Sequence, residues 1–575
     1  MGKIQDFFKR FRFTVILIVC MAIGAFVRLY LITDQVLLDD EWHSLFYATE
    51  HPLAYLLRYA NGAATSAPMN AYAWILLHTT GWSEMSLRLP NLVFGLLALL
   101  FLPLLVRRIH GEAVACIFAA FLSLSPFLTF YSRIFRPYSA LAFLEFVAIY
   151  SAGIWLHSGK EHFRWLYLLT SIVALYFHPV AAIGVFAPWA VAGSFHLWRK
   201  KISTSASIPE FRPDKLSIIT TAGLATSAFA LILQPSVIAE NMMPGPYPTI
   251  ETWKQCLMML FGTSSLMLAG GFLLTGLVGI WAIFREQLFW GAVFILLILL
   301  HLLMIAVCGF ASLDVPVVLA RYLTILFPLA YICAAKGLIE ISTKIGRLAE
   351  LRKRATRGLA WSLAILVFSS WVLTNPLWHA YTAPNNFTNH SAFIESGQFG
   401  GWDRLYRSLF LPQSIYNPSP RMSTFYRDMP KQTQRIIEYP MILGDHYNYY
   451  YFYQHYHGKQ IVIGYTNIVD SMPLNRDGVC EEYFVNHVIR AVDDKRGIRF
   501  RNMVDIMDVE AIRRSRADYL ICHKNLRSEF LADTQSLTKT PGLQECVEQS
   551  KKHFGPPLFE DENIVVFDLT GKLTA

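Results

Sequence analysis

Between Phe13 and Trp378 the chain is a succession of apolar runs, many near the length of a membrane span and separated by short polar loops. A helix of about 20 residues rises roughly 30 Å, the thickness of the hydrocarbon core. Inside hydrocarbon every backbone amide must find its partner within the protein, so runs of this kind fold as helices packed together in the bilayer. Composition agrees. Hydrophobic residues make up 54% of the chain and charged residues 16%, whereas a soluble domain carries about 25% charge.

The N-terminus is basic (Lys3, Lys9, Arg10, Arg12) and runs into the apolar stretch 13–32. That stretch is too long for a signal peptide and no small-residue cleavage site follows it, so it is expected to stay as a first span. Further spans are expected at 89–106, 112–131, 138–156, 165–180, 181–198, 216–238, 264–284, 287–308, 318–340 and 358–376, about eleven in all. The stretch 68–80 is apolar but too short to cross comfortably, and His178-Pro179 marks a weak break. Arg107 and Arg108, Lys160 and Arg164, Arg199 to Lys201, Arg285 and the basic run 344–357 share one face if the spans alternate. The positive-inside rule puts that face in the cytoplasm. The net charge of +9 is thereby accounted for without nucleic acid.

After Pro384 the sequence becomes mixed. The expectation is a transmembrane domain over 1–380, with a first outward loop at 34–88, and a soluble extracytoplasmic α/β domain over 381–575. Strands are expected at 439–443, 460–465, 517–522 and 563–569, with helical stretches at 509–516 and 544–553 in a βαβ-like layout. Asn386 and Asn389 head glycosylation sequons. No glycine-rich nucleotide fingerprint follows a strand. The eight cysteines show no metal-type spacing. Cys20, Cys116, Cys308 and Cys333 lie in apolar runs as small hydrophobes, while one disulfide among Cys480, Cys522 and Cys546 would suit an extracytoplasmic tail.

Chemistry gathers on the outward face. Asp39, Asp40, Glu41 and His43 crowd the exit of the first span. Adjacent carboxylates near hydrocarbon suit a general base or a divalent cation. The bland alternative is a solvated helix start with an aspartate as its cap. Arg133, Arg136 and Tyr138 occupy a later outward loop, where arginine suits a phosphate or merely snorkels to headgroups. Arg321 and Tyr322 sit inside the outward end of an apolar run, and His178 caps another outward turn.

The order of these motifs resembles the polyprenyl-phosphate-sugar-dependent membrane glycosyltransferases of the GT-C type, among them protein O-mannosyltransferases and the aminoarabinose transferases of lipid A. The matching residues are Asp40-Glu41, the segment from Gly81 to Pro90, Arg136-Pro137-Tyr138, His178, and Arg321-Tyr322 with Pro328 beyond. The likeness covers residues 13–340, and the tail is similar to the extracytoplasmic domains such enzymes carry. It implies that Asp40 deprotonates an acceptor hydroxyl with Glu41 beside it. It also implies that Arg136, with Arg133 and Arg321, holds the lipid-linked phosphate. Here the motif reads Asp-Asp-Glu, so the base is either Asp39 or Asp40. No Trp-Trp-Asp signature of the oligosaccharyltransferases is present, which weighs against transfer of a whole oligosaccharide to asparagine.

The resulting expectation is an inverting glycosyltransferase in the plasma (bacterial inner) membrane, its N-terminus in the cytoplasm. It would take sugar from a polyprenyl-phosphate donor to a glycolipid, polysaccharide or protein acceptor. No cofactor is required by the motifs; a divalent cation at Asp39, Asp40 and His43 lacks a complete ligand set. A transporter or flippase of lipid-linked sugars would show paired repeats, and none is evident. A non-catalytic glycolipid-binding relative is the third reading.

Overall fold

A computed structural model of the chain describes residues 2–30, 53–58, 66–199, 247–348 and 368–377, then 423–439, 460–461, 517–524 and 543–570, with a few gaps within these ranges and isolated positions beside them, Glu41 among these. The described residues fall into two compact units. One holds those up to 32 and from 53 to 377; the other holds those between 41 and 52 and those after 422.

The first unit is helical: α1 (Gly2–Leu29), a single turn at Leu53–Leu56, α2 (Ala67–His78), α3 (Glu84–His110), α4 (Glu112–Ser123), α5 (Pro126–Ser132), α6 (Tyr138–Ser158), α7 (Glu161–Phe177), α8 (Ala181–Arg199), α9 (Ile250–Phe261), α10 (Leu266–Glu286), α11 (Leu288–Val307), α12 (Pro316–Tyr322) and α13 (Leu326–Leu348). Among the described residues α3, α6, α10, α11 and most of α13 are long and apolar enough to cross a bilayer. The pair α4 and α5, bent by 59°, makes a sixth such span if taken together. The chain is thus a multi-pass membrane protein. The expected span 216–238, Gly223 apart, and about half of 358–376 lie outside the described residues.

The outward-turned apolar side chains identify the lipid-facing surfaces. Leu274, Leu277 and Trp281 on α10, Leu299 and Leu303 on α11, and Leu169 and Ile172 on α7 are all exposed. By contrast α6 is buried along nearly its whole length and forms the centre of the bundle. Lipid gives helices no hydrophobic reason to associate, so close backbone approach must supply the attraction. Between α10 and α13 it does. A Cβ on Gly279 would overlap the Cys333 carbonyl, and one on Gly337 would overlap the Thr275 carbonyl.

Two expected spans prove to be broken. The run 112–131 bends because Ser125 caps a new helix through its hydroxyl, with Pro126 as first residue; proline is pre-set for that position and cannot continue α4. The run 318–340 divides into α12 and α13, with Thr324 Oγ1 donating to the Arg321 carbonyl at 2.6 Å in the break. The stretch 68–80 folds as the 12-residue α2, too short to span.

In the second unit, five strands form a mixed sheet in the order β2-β1-β3-β5-β4. They are β1 (Arg435–Tyr439), β2 (Gln460–Ile461), β3 (Tyr519–His523), β4 (Phe559–Glu560) and β5 (Ile564–Asp568). β1 pairs in parallel with β2 and β3, and β5 runs antiparallel to β3 and β4. Helices α14 (Thr424–Asp428) and α15 (Leu543–Phe554) complete the described part. The first strand lies at 435–439, several residues before the expected 439–443. The expected helix 509–516, Cys480 and both sequons lie outside the described residues.

Candidate active site

The loop 133–137 joins α5 to α6, and every residue in it is buried. Asn91 on α3 fixes its path, donating from Nδ2 to the Ile134 carbonyl at 2.7 Å. Ser139 returns the contact by donating to the Asn91 carbonyl at 3.0 Å. On that frame the two arginines of the loop have different surroundings. Arg133 Nη1 donates to the carbonyls of Val27 (3.1 Å), Arg28 (3.1 Å) and Tyr30 (2.6 Å). Val27 and Arg28 belong to the last turn of α1 and Tyr30 follows it, at the negative end of the helix dipole, where a cation is most favourable. Arg133 is therefore a clamp on the exit of the first helix.

Two further buried arginines hold the same region. Arg88 Nη1 reaches the Ile32 carbonyl at 3.4 Å. Arg28 donates to the carbonyls of Gly24, Leu122 and Ser123 and to Ser132 Oγ, so it ties α1 to the bend between α4 and α5. The sequence reading passed over Arg28; its signal was a lone cation at the end of an apolar run.

Arg136 belongs to another group. It is close enough to His178 and to Tyr322 to act on both electrostatically. Arg321 Nε donates to Tyr131 Oη at 3.0 Å, and its guanidinium lies 5.9 Å from the Tyr138 ring centroid. The rings connect the rest: Tyr131 to Tyr138 at 4.8 Å, Tyr138 to His178 at 5.9 Å, His178 to Tyr322 at 6.4 Å. Tyr322 stacks on Phe310 at 4.2 Å. Ends of α5, α6, α7 and α12 thus bring Arg136, Tyr138, His178, Arg321 and Tyr322 into one cluster.

Local structure explains each placement. Pro137, with φ of −67°, starts α6 and sets Arg136 at its mouth. His178 ends α7 in an extended conformation, because Pro179 after it disfavours helix. Its Nδ1 accepts the Val180 N–H at 3.2 Å, so the neutral ring carries its proton on Nε2. Stacking of Phe127 on Phe327 at 3.9 Å, and the Ser125–Tyr331 hydrogen bond at 2.8 Å, lock α5 against α13. The cluster thus sets two guanidinium groups among phenols and an imidazole at the ends of apolar helices, donor chemistry of the kind that suits an anion.

The acidic motif is described only at Glu41. With Ser44, Leu45 and Ala48 it follows helical spacing, and all four are buried. A fully buried carboxyl does not fit a solvated helix start, so that reading fails for Glu41. Asp39, Asp40 and His43 lie outside the described residues. Among the described residues no three His, Cys, Asp or Glu gather as a metal site.

One more ionisable group was not foreseen. Glu145 is buried in the middle of α6, facing the backbone N–H of Gly184 on α8. A Cβ on Gly184 would overlap its carboxyl. Its signal was a single carboxylate inside a run of apolar residues.

Residues 65–209 match the family model of dolichyl-phosphate-mannose-protein mannosyltransferase. Among solved structures, ArnT from Cupriavidus metallidurans bound to undecaprenyl phosphate is 12% identical with a TM-score of 0.50, covering 98% of this chain and 99% of that one. An oligosaccharyltransferase from Archaeoglobus fulgidus, tethered to an acceptor peptide, is 13% identical with a TM-score of 0.46, covering 90% of this chain and 70% of that one. No curated protein sequence matches significantly. The resemblance to GT-C type membrane glycosyltransferases read from the motifs holds, in the family match and in the fold.

Proposed function

We propose that the chain is an inverting glycosyltransferase. It takes a sugar from a polyprenyl-phosphate donor to a hydroxyl of a cell-envelope glycolipid, polysaccharide or protein at the outer face of the membrane. The observation that carries this reading is the meeting of Arg136 and Arg321 around Tyr138, His178 and Tyr322. A fold-mate bound to undecaprenyl phosphate accords with a lipid-linked donor here.

In this reading the acceptor hydroxyl attacks C1 of the sugar and the lipid phosphate leaves from the opposite side. Asp39 or Asp40 takes the hydroxyl proton, with Glu41 beside it. Arg136 and Arg321 neutralise the charge that builds on the departing phosphate, which is the interaction that strengthens along the reaction. The Nε2–H of His178 and the phenols of Tyr138 and Tyr322 orient the donor. Arg133 holds the end of α1. A single displacement inverts the anomeric centre without a covalent enzyme intermediate.

About eleven spans, a cytoplasmic N-terminus, a transferase domain over 1–380 and an extracytoplasmic domain over 381–575 complete the proposal. The basic loops support this orientation. A reporter fused after Ala575 tests it, with activity expected only outside the cytoplasm. Glycan and glycolipid profiling of a deletion strain tests the activity, since the missing sugar names donor and acceptor together. An unchanged envelope glycome, with no transfer by purified protein from polyprenyl-phosphate sugars, would refute it.

A further inference from the structure

We infer that Cys522 and Cys546 are joined by a disulfide in the mature protein. Cys522 is the fourth residue of β3, and Cys546 lies in the first turn of α15. Both are buried, at 0% and 2% exposure, and their Sγ atoms stand 2.8 Å apart, well inside the contact distance of two unbonded sulfurs. β3 is the central strand, held between β1 and β5, so its position is fixed from both sides. The other face of the strand is spoken for. His523 pairs with Glu438 at 2.7 Å, and Tyr426 donates to the same carboxylate at 2.8 and 3.0 Å.

Two other uses of a thiol pair are disfavoured. A metal site needs further ligands, and no group of three His, Cys, Asp or Glu occurs among the described residues. A reactive redox pair needs an accessible, easily ionised thiol. Burial instead pushes the Cys522 thiol well up from its ordinary value, and the neighbouring Cys546 pushes in the same direction. Such thiols form their bond before the core closes and are then shielded from reductant.

The inference rests on the extracytoplasmic placement proposed above, where oxidants of this class operate. The oxidant is a protein disulfide of a thiol-oxidising partner. One cysteine thiolate attacks it to give a mixed disulfide, expelling one partner sulfur as a thiolate. The second cysteine then attacks the mixed disulfide, forming Cys522–Cys546 and releasing the partner's other sulfur. Both protons end on the partner, which leaves as a dithiol carrying the two electrons.

The test uses full-length protein from native membranes. Free thiols are blocked with N-ethylmaleimide under denaturing conditions, and unreduced digests are mapped by mass spectrometry. The expected result is one linked peptide pair containing Cys522 and Cys546, separating into two on reduction. Maleimide on both residues, or either of them linked to Cys480, overturns the inference. The reporter after Ala575 is read in the same cells, so its result decides the side of the membrane and the peptide map decides the bond. As a second measurement, Cys522→Ala, Cys546→Ala and the double variant should melt at one common lower temperature, insensitive to dithiothreitol. Wild type should fall to that temperature only when reduced after unfolding; additive losses in the variants would overturn the bond.

Discussion

Arg321 Nε donates to Tyr131 Oη at 3.0 Å, a bond between residues 190 positions apart that fixes a guanidinium against the end of α5. The bond holds the plane of the guanidinium group. Arg321→Ala should therefore weaken donor use by about 2 kcal/mol, roughly 30-fold in kcat/KM. Arg321→Lys keeps the charge but loses the Nε donor, so it should fall between the two. Tyr131→Phe should cost about 1 kcal/mol. Donor titrations in a transfer assay check all three, and equal rates for Arg321→Ala and wild type would remove Arg321 from the site.

The two arginines of the 133–137 loop should separate by phenotype. Arg133→Ala strips three carbonyls at the end of α1 of a charged donor, with an expected loss of about 3 kcal/mol in stability. It should show as a lower melting temperature in detergent and poor recovery. Arg136→Ala should keep the wild-type melting temperature and raise the apparent Kd for the lipid donor. The reverse pattern would exchange the two roles.

That division was out of reach of the sequence. Arg133 and Arg136 share residue type, loop and side of the membrane, and only the position of the α1 carbonyls distinguishes them. The apolar runs were legible because hydrocarbon imposes length and composition on a span. The break at Thr324 was legible only in part: Pro328, which has no N–H to offer the Thr324 carbonyl and stands in the first turn of α13, marks it, but the apolar run continues through it. In the tail, β1 contains Arg435 and Glu438 and so reads poorly as a buried strand. It is one because His523, 85 positions away, and Tyr426 on the preceding helix satisfy Glu438.

The acidic motif yields a prediction that separates chemistry from binding. Either Asp39→Asn or Asp40→Asn should reduce transfer by about 10²–10⁴-fold while leaving donor affinity unchanged. The other should be far milder, and that comparison identifies the base. Glu41→Gln places an amide where a carboxyl is fully buried, so it should lower stability as well as rate. Single-turnover transfer measured beside donor binding checks the split. Full activity in both aspartate variants would remove the motif from the chemistry.

Glu145 and Gly184 form a pair whose coupling can be measured. The carboxyl of Glu145 faces the Gly184 backbone N–H and occupies the space a Cβ there would need. The three first-turn amides before it, of Ala181, Ala182 and Ile183, bond to the carbonyls of His178, Pro179 and Val180. Gly184→Ala should thus cost about 1–3 kcal/mol by overpacking, and Glu145→Ala should also destabilise by removing the partner of the turn. Together they should cost less than the sum, because the smaller residue at 145 makes room for the new methyl, with a coupling of about 1–2 kcal/mol. Melting temperatures of the four proteins in one detergent give the cycle. Because this turn begins at His178, Gly184→Ala should also raise the KM for donor, and Glu145→Ala in the same chain should bring it part of the way back. Strict additivity in stability would mean that the two residues do not meet in the folded protein.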